Sequence, residues 1–231
     1  MTSSQSAQKV SWEVPVPVNP FRDDLPWVIC APFFWHFDSA ELSNPPIDPS
    51  NAAGLTEKER IAVLLELLQE KFKAFNETGG KEGGKDWSSL LRSIVFLQQK
   101  SGLVKSAGVS VRALVAAEEK SSGIGIVSKQ VLAQQLIDEG DYTGAEEIMR
   151  PACIEVDGPE RKWKFSPQSV GYRRTLLEAL WKQGVEKRKE AEELVEEIWG
   201  LIEGMRGGTM EVYVESEKET LEERLEKLKG V

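Results

Sequence analysis

LAQQLIDEGDYTGAEEIMRPA, residues 132–152, packs a helix, a break and a second helix into one short stretch. Leu132 and Leu136 are one helical turn apart and share a face. Gly140 lets the chain leave that helix in a left-handed conformation, which costs glycine nothing. A new helix begins within three residues, where Thr143 and Glu146 have the spacing of a capping box. Ala145 is small where two paired helices would approach most closely, and Tyr142 can close the groove between them. The stretch reads as a tight helix hairpin.

A second hairpin follows. LLEALWKQGVEKRKEAEEL, residues 176–194, aligns Leu176, Leu180, Gly184 and Ala191 with the first, with a turn two residues longer. Ser166 and Pro167 form an N-cap and first-turn pair for its first helix, which carries Tyr172, Leu176, Leu177, Leu180 and Trp181. Ala191, Leu194, Val195, Ile198 and Ile202 mark its second helix, which stops near Gly204. A last helix, about 211–229, puts Val214, Leu221, Leu225 and Leu228 on one stripe and caps the stack. The turn glycines are 44 residues apart, and Pro151 falls where the first hairpin's second helix should continue. No further copy is visible before Gln130.

Leu132, Leu136, Gly140, Tyr142, Ala145 and Ala152 reproduce a large residue, a second four later, a turn glycine, an aromatic and two small residues seven apart. This pattern resembles the tetratricopeptide repeat, whose period is about 34 residues. The phrasing from Ser166 to Met205 resembles filamentous-fungal proteins of this type with no assigned role. The resemblance covers about residues 124–230 and implies a short, degenerate α-solenoid. It also implies that the first helix of each hairpin lines a concave face, which places Gln130, Gln134, Arg174, Glu178 and Lys182 in a peptide-binding groove. Arg174 and Lys182, with Arg161, Lys162 and Lys164 nearby in sequence, could clamp a carboxylate of an acidic peptide. The competing reading makes these cations solvated partners of the acidic C-terminal helices.

Outward from the hairpins, residues 55–231 read as one all-α domain. Thr56 and Glu59 form a capping box ahead of Ile61, Leu64, Leu65, Leu68, Phe72 and Phe75 at helical spacing. Four glycines, Gly79, Gly80, Gly83 and Gly84, break the chain into a loop. A second helix is expected over Trp87–Lys100, stopping at Gly102, and a third over Ser110–Glu119, before a turn at SSGIG.

Residues 1–54 are different in kind. They hold eight of the eleven prolines, which exclude a continuous helix, and seven aromatics between Trp12 and Phe37. That is too apolar for a solvated tail, so the segment reads as an extended arm docking on the helical body, with Trp27 and Trp35 its best-buried members.

Composition narrows the function classes. Of the net charge of -9, a net of -6 falls between Glu186 and the C-terminus, from 14 acidic and 8 basic residues. Such an end repels phosphate backbones and anionic membranes, and no apolar stretch approaches the ~20 residues of a membrane span. Without a secretory signal, and with Cys30 and Cys153 in no metal or redox spacing, the expected location is the cytoplasm.

Catalytic signatures are weak. His36 is the only histidine, two residues from Asp38; it reads as a docked aromatic-segment residue rather than an oriented base. GIGIV at 123–127 reads as a turn, not a dinucleotide loop, and Asp23–Asp24 as a turn, not a magnesium site. No catalytic residue, metal or cofactor is assigned. The first reading is a non-catalytic protein–protein interaction module binding a protein or peptide. The alternative is a small helical enzyme or ligand-binding protein with an apolar pocket between arm and helices. Oligomeric state is not legible.

Overall fold

The computed structural model describes residues 36–37, 55–121, 123–158 and 164–230. Among these there are eight α-helices and no strand: α1 Glu57–Glu77, α2 Lys85–Lys100, α3 Val104–Ser121, α4 Ile126–Glu139, α5 Tyr142–Val156, α6 Pro167–Lys182, α7 Val185–Glu203 and α8 Val214–Lys229. A 3-10 turn, Glu211–Tyr213, runs directly into α8. The all-α solenoid expectation is met. The arm lies outside the described residues except for His36 and Phe37, so the readings of Trp27, Trp35, Cys30, Asp38, Asp23 and Asp24 fall outside them as well.

Local sequence explains most boundaries. Thr56 caps α1 as expected, with the Thr56 N–H donating to the Glu59 carboxylate at 2.7 Å and the Glu59 N–H to the Thr56 hydroxyl. Ile61, Leu64, Leu65 and Leu68 form the buried face of α1. Across the glycine loop, Trp87 Nε1 donates to Asn76 Oδ1 at 3.1 Å, pinning α2 back on α1. The third helix starts six residues earlier than expected. Gly108, which looks like a breaker, sits inside α3, where a Cβ would fall 2.7 Å from Glu139 Oε1. It is there for a close approach of α3 to α4, and tertiary packing overrides its low helix propensity.

The hairpin at Gly140 has the expected left-handed exit, with φ 88°. The Asp141 N–H returns to the Leu136 carbonyl at 2.8 Å, satisfying a terminal acceptor. The capping box proposed for Thr143 and Glu146 is not formed. Asp141 is the N-cap and accepts from the Gly144 N–H at 2.9 Å. Glu146 is one turn further in and points at Arg150, Gln183 and Lys187. Pro151 does not end α5, which runs through it on its exposed side while Ala145, Met149, Ala152 and Cys153 face the core.

Ser166 caps α6 through the Ser169 N–H, with Pro167 in the first turn as expected. The second hairpin does not have the longer turn. Both connections, Gly140–Asp141 and Gln183–Gly184, are two residues long, and the extra residues extend the first turn of α7. Gly184 adopts φ 92°, ψ -153°, a region essentially reserved for glycine.

Consecutive helices pack on one another, and α2, α4, α6 and α8 also touch one another in succession, forming one layer. The starts of α2, α4 and α6 are 41 residues apart in both steps. A hairpin of α2 and α3 therefore precedes the two read from sequence. The connection from α5 to α6 is held by Arg173, which is 4% exposed. Its guanidinium donates to Asp157 and to Glu197, each at 2.5 Å, and to Ser169 Oγ at 2.8 Å. The apolar interior comprises a large cluster across α4–α8 and a smaller one within α1–α3.

Candidate binding groove

The partners of α2 separate its faces. Arg92, Val95 and Gln99 turn to α4: Arg92 Nη1 donates to Ser128 Oγ, Gln99 Nε2 to the Val131 carbonyl, and Val95 packs with Val131 and Leu132. Leu90, Leu91, Ile94 and Leu97 fill the core with α1 and α3. What remains is the stripe Ser89, Ser93, Phe96 and Lys100, spaced i, i+4, i+7 and i+11.

The corresponding stripes of the other layer helices carry four of the five residues singled out from sequence. On α4 these are Gln130 and Gln134, followed by Asp138. Gln130 reaches Thr175 of α6 at 3.4 Å, and Gln134 donates to Asp138 Oδ1 at 3.2 Å. On α6 they are Glu178 and Lys182, while Arg174 stands one 82-residue double step from Arg92 and, like it, turns to the next layer helix. Arg174 is paired with Glu217 of α8, and Glu178 with Arg224 of α8. Lys182 lies 3.7 Å from Glu178 and 5.7 Å from the Tyr142 ring centroid. Thus Gln130, Gln134 and Lys182 keep partly exposed side chains, while Arg174 and Glu178 are engaged by the last helix. Arg161 and Lys162 lie outside the described residues, and Lys164 sits 5.7 Å over the Phe165 ring.

Sequence reasoning missed the cations that complete this end of the layer. Burial pushes the Lys100 ammonium below its ordinary pKa, and Arg224 and Lys227 of α8 add to the shift. Burial likewise raises Asp138, which lies near Glu178, Lys182 and Arg224. Side chains from α2, α4, α6 and α8 therefore share one electrostatic neighbourhood. Among the described residues Lys100 and Lys227 have no carboxylate at ion-pair distance. The only hint in the sequence was the basic pair Arg224 and Lys227 inside an acidic helix.

α8 is fixed over this layer at both ends. The Arg174–Glu217 pair, in which burial raises the Glu217 carboxyl, holds its N-terminal half. Trp181 Nε1, donating to the Leu228 carbonyl at 2.9 Å, holds its C-terminal end.

His36 Nε2 lies 2.9 Å from Ser93 Oγ, the spacing of a base and a nucleophile. The surroundings give it another role. The Ser93 hydroxyl donates to the Ser89 carbonyl at 3.1 Å. Ser93 is in mid-helix, where backbone N–H groups are committed to the helix ladder and cannot stabilise an oxyanion.

No family profile and no curated protein matches the chain. Among solved structures it is similar to a Podospora anserina protein described as a kinesin light chain with nearly identical TPR-like repeats. The TM-score is 0.54 at 14% identity, covering 75% of this chain and 87% of that one. The chain has a tetratricopeptide-like fold. In tetratricopeptide-like terms α2, α4 and α6 are the first helices of three hairpins, and α8 stands where the next first helix would be. No helix among the described residues is long and apolar enough to cross a membrane.

Proposed function

We propose that the chain is a protein-interaction scaffold that receives an extended peptide along the face of its tetratricopeptide-like layer. Gln130, Gln134, Arg174, Glu178 and Lys182 form its wall on this reading. The observation that carries it is the convergence of four layer helices on one charged face, where Lys100 and Lys227 have no carboxylate at ion-pair distance among the described residues. Cations with no carboxylate beside them among the described residues suit a peptide bearing acidic side chains. Arg174 and Glu178 act by fixing α8 as one side of the groove, while Gln134 and Lys182 meet the ligand.

A cytoplasmic setting is part of the proposal. Cys153 is a buried free thiol whose pKa burial raises to about 11, so it is an inert packing residue that needs no oxidising compartment. The kinship to filamentous-fungal proteins rests on sequence phrasing alone.

The test is capture from a cell extract by the full chain, beside Lys182→Glu and the control Lys189→Glu on the exposed side of α7. A groove partner should be lost with the first variant and kept with the second. Equal capture by all three forms would sink the groove reading.

A further inference from the structure

The stripe on α2 that faces the groove is already in contact with another part of the chain. His36 Nε2 meets Ser93 Oγ at 2.9 Å, and since the Ser93 hydroxyl is spent on the Ser89 carbonyl, the imidazole N–H is the donor. Next to it, Phe37 packs against the α1–α3 core, with the Lys71 ammonium of α1 4.6 Å from its ring centroid. An ammonium over an aromatic face is attractive, so the site supplies a cation for a ring and an acceptor for an imidazole.

We propose that Ser89 and Ser93 of α2, with Lys71 of α1, form a docking site for an aromatic segment, and that its occupant is this chain's own segment around His36–Phe37, covering one end of the groove. The docking needs no external partner. Its consequence, competition with an incoming ligand, rests on the groove reading above. Only 19 residues separate Phe37 from Glu57. A tether of that length keeps a segment at an effective concentration on the order of mM, so even a weak contact stays occupied until a partner displaces it.

Docking disfavours the charged imidazole. Burial lowers the pKa of His36, Lys71 of α1 and Arg92 of α2 add to this, and Asp86 of α2 and the Ser89 carbonyl oppose it. Above the ordinary value of 6.5 the docked and released forms are both neutral and docking is at full strength. As pH falls below 6.5 the released arm gains a proton that the docked arm refuses, so docking weakens with acid.

Because His36 is the only histidine in the chain, its ring signals report the contact directly by NMR in the full-length protein. They should titrate below 6.5 in the wild type and return to the free value in Ser93→Trp, which fills the site. Ser93→Ala should move the titration in the same direction by less, and serves if the tryptophan variant does not fold. Wild-type signals that titrate as a free imidazole would overturn the docking. A shift that grows with protein concentration would show that the occupant is a second copy, and would overturn the intramolecular form.

A labelled peptide of residues 31–40, APFFWHFDSA, supplies the second readout. It should bind the double variant His36→Ala/Phe37→Ala at least tenfold more tightly than the wild type, whose site is filled. Equal affinities would overturn the proposal. Loss of partner capture with Lys182→Glu alongside a free His36 would leave the scaffold reading standing and remove this inference alone.

Discussion

From α4 to α8 one apolar cluster runs without a break, from Ala133 to Leu228, and charged pairs are set into it. Arg173 links α6, α7 and the preceding connection, while Glu146 gathers Arg150 of its own helix, Gln183 of the α6–α7 turn and Lys187 of α7. In α1–α3 the cluster is smaller, and it meets the rest through Val95, Ala107 and Val111 packed on Val131 and Leu132. The main polar tie there is Glu118. It accepts from Arg92 at 2.9 Å and Ser128 at 2.9 Å, and from the Gly125 N–H at the start of α4 at 3.0 Å. Stacking is the same in both halves, so continuity of the core must set how far a local disturbance spreads. Repeat stacks behave as chains of nearest-neighbour contacts, and the step from α3 to α4 is where the two larger apolar clusters of this chain separate.

Two matched truncations break or sharpen that comparison. Leu177 and Leu97 are both fully buried, one in each half, and replacing either by Ala should cost about 2–5 kcal/mol. In hydrogen exchange Leu177→Ala should open α4–α8 together, whereas Leu97→Ala should open α1–α3 and leave α6 and α7 protected. Uniform loss of protection in both variants would show the link to be as strong as the core.

Within the larger half, Ala145→Leu inserts bulk where no exposure remains, between α5 and its neighbours. The expected cost is about 1–3 kcal/mol, read as a lower denaturation midpoint. An unchanged midpoint would argue against the tight hairpin. The two turn glycines give a smaller contrast. Gly184→Ala enters a backbone region that side chains avoid and should cost about 1–3 kcal/mol. Gly140→Ala enters the ordinary left-handed region and should cost about 1–2 kcal/mol. Thermal melts that reverse this order would contradict the two turn geometries.

Acid should act selectively on the same half. The hydrogen bonds from Lys187, Gln183 and Arg150 outweigh burial and hold the Glu146 carboxyl down at about 2. An acid with a depressed pKa stabilises the fold fully above its ordinary value of 4.5 and loses that contribution as pH falls toward 2. Wild-type stability should therefore fall over that window, and Glu146→Gln should flatten the dependence while lowering stability at neutral pH.

The hairpin at Gly140 was legible because its signals are local: an αL glycine, an alanine at a crossing, leucines one turn apart. Ser166–Pro167 and Thr56–Glu59 were legible for the same reason. The capping box at Thr143 was misread because Asp141, next to the turn, takes the capping role and leaves Glu146 to Arg150 one turn on and to Gln183 and Lys187, distant in sequence. The helices α2 and α3 were read, but not as a repeat; α3 begins six residues before its expected start, with Gly108 inside it where Glu139 of α4 leaves no room for a side chain. Of the groove, the sequence placed Gln130, Gln134, Arg174, Glu178 and Lys182 on layer helices. It did not show that Glu217 and Arg224 engage two of them, or that Lys100 stands near Lys227.

By itself, then, the sequence determined what depends on neighbours within a few residues: helix class, caps, turns and the apolar stripe of each helix. The tertiary structure decided which stripes meet, the 41-residue register of the stack, the partners of the buried charges and the place where His36 and Phe37 rest. The division follows from range. Hydrogen-bonded turns and periodic faces are fixed by residues one or two turns apart. Ion pairs such as Arg174–Glu217, 43 positions apart, exist only once the helices between them have packed.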